Sequence, residues 1–280
     1  MIPKRIFFYW SGDNMSWMRY MTLYSFRKFN PDWEMVLYIS DNNNKKNWEG
    51  PEEQDFNNYT GDNYIDKIKD LDIEIKNVEF PDNVKNLLIN ASPVHESDIF
   101  RYYELYNNGG IYCDMDVLFF RPIEDYYNVI KDYDTLLHQD NENITIGFLG
   151  SSINNQYYKD IYEFAINNIN TSNYQSMGVD MIYNLFGGSR TKPQILNRII
   201  NKYKNLKICN LPSFLIYKFD WTKIGYNYSN CLNINNFDND SIGYHWFGGS
   251  PISQKYNNVL NEKNYYNYKT TFSELCKNII

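Results

Sequence analysis

The stretch that decides the fold is SDIFRYYELYNNGGIYCDMDV, residues 97–117, in which a helix, a tight turn and a strand are expected in succession. Two consecutive glycines, Gly109 and Gly110, supply the left-handed backbone positions that commonly end a helix. The apolar residues after them predict a buried strand. Two carboxylates, Asp114 and Asp116, stand at the end of that strand. A helix that leads back into a strand is a building unit of α/β proteins.

Strands and helices alternate on both sides of this stretch over the first 120 residues, and this alternation predicts a largely parallel sheet. Ser92 followed by Pro93 predicts the capped start of the central helix. Residues 41–60 are polar and are expected to form a loop. The second half is less periodic, with neither repeats nor a clear domain boundary. Predicted strands are 4–10, 35–40, 71–80, 111–113 (resuming at 117–120), 135–138 and 144–149; predicted helices are 15–29, 93–107, 156–169, 179–186 and 194–203.

Composition and charge exclude several classes of protein. With 43% hydrophobic residues in 280, the chain can bury a substantial core. A net charge of -7 argues against a nucleic-acid partner, which needs a basic face. No run approaches the ~18 apolar residues of a membrane span, and the N-terminus does not resemble a signal peptide. Four cysteines without C-x-x-C spacing predict reduced thiols in a cytoplasmic protein, with disulfides or zinc as the alternative.

The carboxylate pair suggests a metal site. At i, i+2 in an extended strand, Asp114 and Asp116 would point to the same side. In open α/β sheets the carboxyl ends of strands are where ligands bind. Two like charges this close need neutralising, and Mg²⁺ or Mn²⁺ held by one or two carboxylates together with substrate phosphates would do so. The pattern therefore suits a bridge to a nucleoside diphosphate; the alternative is a solvated turn.

Asp98 and Arg101 are three residues apart, on one face of the predicted helix. One interpretation is a surface ion pair of little energetic consequence. The other is a carboxylate that receives a ribose hydroxyl, with Arg101 holding the carboxylate or touching a phosphate. The turn at the glycines brings this face of the helix towards Asp114.

The combined motif, S-D-x-x-R-Y-x-x-L-Y-x-x-G-G-I-Y-x-D-x-D-V, resembles the signature of DXD-containing sugar transferases. These include the capsular-polysaccharide type, family 32, and the glucosyltransferase domain of large clostridial toxins. The opening Ile2-Pro3-Lys4-Arg5-Ile6 with Trp10 and Gly12 also matches, as does SFRKFNPDWE at residues 25–34. The resemblance is good over about residues 2–40 and 91–124 and thin elsewhere.

This resemblance implies a GT-A-type nucleotide-sugar-binding α/β fold with a mostly parallel central sheet flanked by helices. A single domain over residues 1–280 is expected, with a nucleotide-binding half at 1–124 and an acceptor- and sugar-binding half at 125–280. It also implies site roles: Trp10 stacks on the base, Asp98 and Arg101 contact the donor sugar, Tyr112 lines the diphosphate pocket, Asp114 touches the ribose or the transferred sugar, and Asp116 ligates the metal.

A second candidate element, YHWFGGS at residues 244–250, stands near the C-terminus. The family often has a His-Trp or His-x-Trp element there, which closes over the donor. By this resemblance His245 would ligate the metal or bond the diphosphate, and Trp246 would pack over the donor. The alternative is a buried packing histidine. His95 and His138 are expected to be structural.

The resemblance therefore implies a metal-dependent glycosyltransferase, a hexosyltransferase that uses Mn²⁺ or Mg²⁺ and a UDP-linked donor and retains anomeric configuration. The acceptor, glycan or protein, is not indicated. Asp140 and Asp180 are available as a second carboxylate for a glycosidase-like nucleophile. Front-face departure, with the leaving phosphate assisting the acceptor hydroxyl, is favoured by analogy.

Two other functions remain open. A nucleotide-sugar-binding module without turnover would bind donor and metal but release no nucleotide. A haloacid-dehalogenase-like phosphatase would use Asp114 as nucleophile with Gly61-Asp62-x-x-x-Asp66 as the metal motif. In that family, however, the nucleophile strand precedes the metal motif, and here the order is reversed.

Overall fold

The structure, a computed structural model, describes residues 1–44, 59–141 and 143–280. Nine strands and ten α-helices lie in these parts of the chain. The strands are β1 (Arg5–Ser11), β2 (Glu34–Ser40), β3 (Glu74–Asn77), β4 (Gly110–Cys113), β5 (Val117–Phe119), β6 (Thr135–Gln139), β7 (Ile144–Ser151), β8 (Ile208–Asn210) and β9 (Gly243–His245). The helices are α1 (Trp17–Phe29), α2 (Asp82–Leu88), α3 (Pro93–Asn107), α4 (Glu124–Ile130), α5 (Gln156–Asn167), α6 (Val179–Phe186), α7 (Leu196–Lys202), α8 (Ile224–Ser229), α9 (Pro251–Val259) and α10 (Thr271–Ile279).

The centre of the molecule is a seven-stranded sheet in the order β3-β2-β1-β4-β7-β6-β8. Strand β7 runs antiparallel to both of its neighbours, whereas the other adjacent pairs are parallel. The predicted α/β fold with a mostly parallel central sheet flanked by helices is therefore confirmed. The sheet contains strands from both of the predicted halves of the chain, and the single-domain organisation stays a prediction.

The predicted helix–turn–strand unit is present as α3 and β4. The hydroxyl of Ser92 caps α3 by accepting a hydrogen bond from the backbone N–H of His95. Gly109 and Gly110 have φ values of +65° and +94°. A Cβ on Gly109 would come within 2.7 Å of the Ser151 carbonyl oxygen, so only glycine fits where the turn presses against β7. This turn brings α3 against the sheet next to β4.

Apolar side chains cover both faces of the sheet. Successive residues of β1 alternate between the faces, so Phe7 and Tyr9 join one core while Ile6 and Phe8 join the other. A third core, around α8, α10, β5 and β9, contains Trp17, Trp246 and Phe272. No helix within the described ranges combines the length and the apolar character that a membrane crossing needs.

Two expectations about secondary structure are wrong. Residues 117–120 do not resume β4, because β5 leaves the main sheet and pairs with β9 in a separate antiparallel ribbon. The strand expected at 71–80 is confined to Glu74–Asn77, an exposed edge strand, and follows a 3₁₀ helix at Ile65–Leu71. Helices α2 and α4, and all the helices after residue 203, were not anticipated. Most of the loop expected at 41–60, residues 45–58, lies outside the described residues.

Candidate active site

A cavity of about 300 Å³ opens at the carboxyl ends of β1 and β4. These strands are parallel neighbours, so their carboxyl ends meet at one edge of the sheet, where α/β folds bind ligands. The first turn of α1 and one face of α3 form further walls. Six residues singled out from the sequence line this cavity: Trp10, Asp98, Arg101, Tyr112, Asp114 and Asp116.

The two acids stand on a turn and not on a strand, which corrects the geometry expected from the sequence. Strand β4 ends at Cys113, and residues 114–116 change the direction of the chain before β5 begins. The backbone N–H of Asp114 bonds to the carbonyl of Gly147 at 2.8 Å, and the carbonyl of Asp116 accepts from Trp246 N–H at 2.9 Å. The turn is therefore fixed by β7 on one side and by the segment after β9 on the other.

Asp116 is buried among groups that favour its charged form. Its Oδ1 lies 3.0 Å from Nε2 of His245, and its Oδ2 accepts a 2.7 Å hydrogen bond from the backbone N–H of Gly248. Arg19 lies 3.7 Å from the same Oδ2. Burial raises the pKa of Asp116, but His245, Arg19 and the Gly248 N–H together outweigh burial and hold that pKa well below its usual value. Asp116 is therefore an ionised carboxylate at neutral pH.

Asp114, Asp116 and His245 fit a divalent cation. One ligand atom from each lies within 4.8 Å of the other two. Octahedral ligands about 2.1 Å from Mg²⁺ are about 3 Å apart when adjacent and about 4.2 Å apart when opposite. Small side-chain movements would thus bring all three onto one ion. His245 does not border the cavity; it lies behind Asp116, and its Nδ1 has no hydrogen-bond partner among the described residues.

On the other side of the acids, Arg101 stands between two carboxylates. Its guanidinium lies 2.8 Å from Asp98 and 3.3 Å from Asp114, and it also donates to the carbonyl of Ile146 at 2.9 Å. The side chains of Arg101 and Asp98 are each only 5% exposed, so the interpretation as a surface ion pair is wrong. The Tyr112 hydroxyl donates to Asp114 at 2.6 Å, which orients that carboxylate.

One guanidinium does not fully compensate two carboxylates. Burial raises the pKa of Asp98 to about 7, against the lowering effect of Arg101, and the charge of Asp114 raises it further. The Asp98 carboxyl thus sits in a place where hydroxyl groups of a ligand would supply the hydrogen bonds that water cannot.

The two tryptophans singled out from the sequence are placed differently. Trp10 borders the cavity at the end of β1, and its buried Nε1 has no partner among the described groups. Trp246 is 1% exposed and does not border the cavity. Its ring lies under the guanidinium of Arg19, 4.8 Å from ring centroid to Cζ. The structure therefore brings Trp10 to the site, and connects Trp246 to it through Arg19 and through the hydrogen bond from its backbone N–H to the carbonyl of Asp116.

Sequence reasoning missed several residues that border the cavity, among them Arg19, Tyr174 and Gln175. Burial and then the charges of Asp114, Asp116 and Asp98 raise the pKa of Tyr174, which borders the same cavity as these acids. Tyr174 belongs to the segment between α5 and α6, where no local motif marks it. The sequence marks Arg19 only weakly: it is a positive charge in the first turn of a helix, where it opposes the helix dipole.

Residues 16–141 match a family described as the glycosyltransferase sugar-binding region containing the DXD motif. The match includes α1, α3 and the turn that carries both acids. Among curated protein sequences, none matches this chain at a significant level.

Solved structures of glycosyltransferases are distantly similar to this chain. The PaToxG glycosyltransferase is 13% identical, with 98% of this chain and 86% of that chain covered and a TM-score of 0.46. The UDP-bound glycosyltransferase domain from the YGT toxin is 13% identical, with 75% and 79% covered and a TM-score of 0.44. Mouse xyloside xylosyltransferase 1 is 7% identical, with 86% and 96% covered and a TM-score of 0.46.

The family match over residues 16–141 includes the acids at the carboxyl end of β4 and the Asp98–Arg101 pair, which the structure places around one cavity. Residues 16–141, slightly under half of the chain, therefore match the DXD-containing sugar-binding region of glycosyltransferases.

Proposed function

We propose that this protein is a glycosyltransferase that moves a hexosyl group from a UDP-linked donor to an acceptor hydroxyl, and that the cavity at the ends of β1 and β4 is the donor site. One observation supports this above the others. Six residues that the sequence singled out for donor and metal binding come from β1, α3, β4 and the turn after β4, and all six border one cavity.

The donor would lie across the cavity with its base at β1 and its sugar at α3. Trp10 offers an aromatic face for the base. Asp98, buried and held by Arg101 at 2.8 Å, would accept hydrogen bonds from hydroxyls of the donor. Tyr112 keeps Asp114 oriented through its 2.6 Å hydrogen bond. These groups bind and orient; none of them has to give up or take a proton.

Asp116 and His245, with Asp114, would hold Mn²⁺ or Mg²⁺. When bound, such a cation supplies positive charge that stabilises the charge growing on a leaving diphosphate. The lowered pKa of Asp116 keeps this carboxylate ionised and ready to bind a cation over the whole physiological range. A cytoplasmic location, inferred from the scattered cysteines, belongs to this proposal too.

Retention of configuration is part of the proposal, by departure and attack on the same face. Of the two acids considered as nucleophiles, Asp180 pairs with Arg190 at 2.9 Å and Asp140 lies in the turn between β6 and β7. Neither borders the cavity. Two carboxylates that do border the cavity are already bound: Asp98 pairs with Arg101, and Asp114 accepts a hydrogen bond from Tyr112. This favours a mechanism without a covalent enzyme intermediate.

The test is a thermal-shift screen of UDP-, GDP- and dTDP-sugars, each with Mn²⁺ and with EDTA, on the wild type and on Asp116→Asn. A ligand present at 100 times its Kd should stabilise the protein by about 2.7 kcal/mol. We expect a shift with a UDP-sugar that needs Mn²⁺ and is lost in the variant. A screen in which no nucleotide sugar shifts the wild type would contradict the donor assignment.

Nucleotide release then separates the remaining alternatives. A binding module without turnover would bind the donor yet release no UDP with any acceptor or with water. A phosphatase of the haloacid-dehalogenase type would form an aspartyl phosphate on Asp114. In that reading Asp66 would be a metal ligand, but Asp66 is exposed, pairs with Lys69 at 2.8 Å and does not border the cavity.

A further inference from the structure

Three arginine side chains of this protein are largely withdrawn from water: Arg5, Arg19 and Arg101, which are 7%, 13% and 5% exposed. A guanidinium carries five N–H donors, and a buried one is costly unless acceptors surround it. Two of the three meet this condition. The acceptors are Glu34, Gly109 O, Tyr38 and Glu104 for Arg5, and Ser97, Ile146 O, Asp98 and Asp114 for Arg101.

Arg19 is the exception. Among the described residues, none accepts a hydrogen bond from its guanidinium, and the carboxylate that lies nearby, that of Asp116, is 3.7 Å away. That separation is longer than a hydrogen bond. The side chain borders the donor cavity. A desolvated cation that borders a cavity and has unused N–H donors calls for an anion within that cavity.

The position on the helix makes this arrangement more unusual. Arg19 is the third residue of α1, and its backbone N–H bonds to the capping Ser16. A helix N-terminus already carries partial positive charge, so a cation there is disfavoured unless something compensates it. Ser16 and Arg19 both border the cavity. The helix end and the guanidinium therefore add their positive potentials in the same direction.

Arg19 is held in place by contacts that use none of its N–H groups. The ring of Trp246 lies 4.8 Å from Cζ, a cation–π contact. On Gly248, a Cβ would overlap the guanidinium itself, so the plane of Arg19 packs directly against the glycine backbone. The side chain is thus fixed in advance with its donors still available, which reduces the ordering cost of binding a ligand.

We propose that Arg19 binds the diphosphate of the donor and of the nucleoside diphosphate product, and that Trp246 and Gly248 position it for this contact. The proposal rests on the proposed function. A guanidinium matches the geometry of phosphate oxygens. A cation on Asp116 and His245 would repel Arg19, and a diphosphate between the two positive charges removes that repulsion. The diphosphate of the donor would thus be bound from two sides, by Arg19 and by the cation.

The experiment measures dissociation constants by calorimetry for UDP, UMP and uridine, each with Mn²⁺, on the wild type, Arg19→Met and Arg19→Lys. Arg190→Met is the matched control, because Arg190 also faces an aspartate but lies exposed and away from the cavity. We expect Arg19→Met to weaken UDP about 10- to 100-fold, the range for a lost charge-assisted hydrogen bond. UMP should lose less, uridine should be unaffected, Arg19→Lys should fall between, and Arg190→Met should match the wild type.

The outcomes separate this inference from the proposed function. If the wild type binds UDP and Arg19→Met binds it within twofold as tightly, Arg19 does not touch the diphosphate, while the donor assignment stands. Equal losses for UDP and uridine would show a distorted site instead of a lost phosphate contact, and would also overturn the inference. If the wild type binds no nucleoside diphosphate, the proposed function fails first. Melting curves of each variant check folding.

Discussion

Replacing Arg101 with methionine should be among the most damaging single changes in this protein. The change removes a 2.8 Å ion pair to Asp98, with both side chains 5% exposed, and a 2.9 Å hydrogen bond to the carbonyl of Ile146. Breaking a buried pair by removing one partner costs about 3–5 kcal/mol, because the other charge is left without compensation. A domain is stabilised by only about 5–15 kcal/mol in total, so Arg101→Met should lose about a fifth or more of its stability.

The assay is urea unfolding of Arg101→Met, Asp98→Asn and the double variant, analysed as a double-mutant cycle. We expect a coupling of about 2 kcal/mol or more, because Asp98→Asn alone leaves Arg101 its contacts with Asp114 and Ile146. The matched control is Asp66–Lys69, which has the same i, i+3 spacing and the same 2.8 Å distance but is exposed. That pair should show no measurable coupling.

The pH dependence of the stability lost in Arg101→Met provides a second test of the same prediction. Burial already raises the pKa of Asp98 to about 7, and loss of Arg101 removes the group that lowers it. A carboxyl group whose folded pKa lies above its unfolded value stabilises the protein at low pH and loses that effect as pH rises through the folded pKa. The cost of Arg101→Met should therefore be larger at pH 8 than at pH 5. Equal costs at both values, together with weak coupling, would refute the account of a buried, shared guanidinium.

Three further predictions concern other parts of the molecule. Burial lowers the pKa of His138 from 6.5 to about 4, so stability should fall as pH drops from 6.5 towards 4, by up to about 3 kcal/mol, and urea unfolding of His138→Gln should lack this slope. Gly110→Ala should lower the free energy of unfolding by about 1–3 kcal/mol or more in thermal or urea unfolding, because φ is +94° and a Cβ would come within 2.8 Å of a carbonyl oxygen. Gly225→Ala is the control: the nearest atom to its Cβ would be 3.6 Å away, so this change should be neutral or stabilising. Similar losses at both sites would contradict the steric argument. Gly248→Ala should displace Arg19 and weaken UDP binding measured by calorimetry about as much as Arg19→Met, and unchanged affinity would count against the positioning role.

The parts of the fold that were predictable carry their signals locally. Helix α3 has a serine cap and a proline at its start and a glycine pair at its end, and the structure places its bounds at Pro93–Asn107. Strand β5 was assigned to the wrong sheet, because three apolar residues after a turn do not indicate which strand they will pair with. Helix α10 is not among the predicted helices, although Thr270 caps it and its buried residues recur at helical spacing.

The residues of the candidate site also fall into those that a local motif predicts and those that it does not. Asp98, Arg101, Tyr112 and the two acids lie within 20 residues of one another, so a single motif carries them. Arg19 and Tyr174 reach the same cavity from α1 and from the segment before α6, and only tertiary packing brings them there. No alternation, cap or spacing in the sequence relates those positions to Asp116.

The cation end of the cavity joins segments that are far apart along the chain: Asp116 is bound by the backbone of Gly248, 132 residues later, and lies beside Arg19 of the first helix. Contacts of such long range form slowly and late in folding. Because a protein is synthesised from its N-terminus, the strands of the sheet, α3 and both acids are synthesised before His245 and Gly248. In the proposed function, a nascent chain would therefore contain the residues for the base and the sugar well before the residues that complete the metal and diphosphate site.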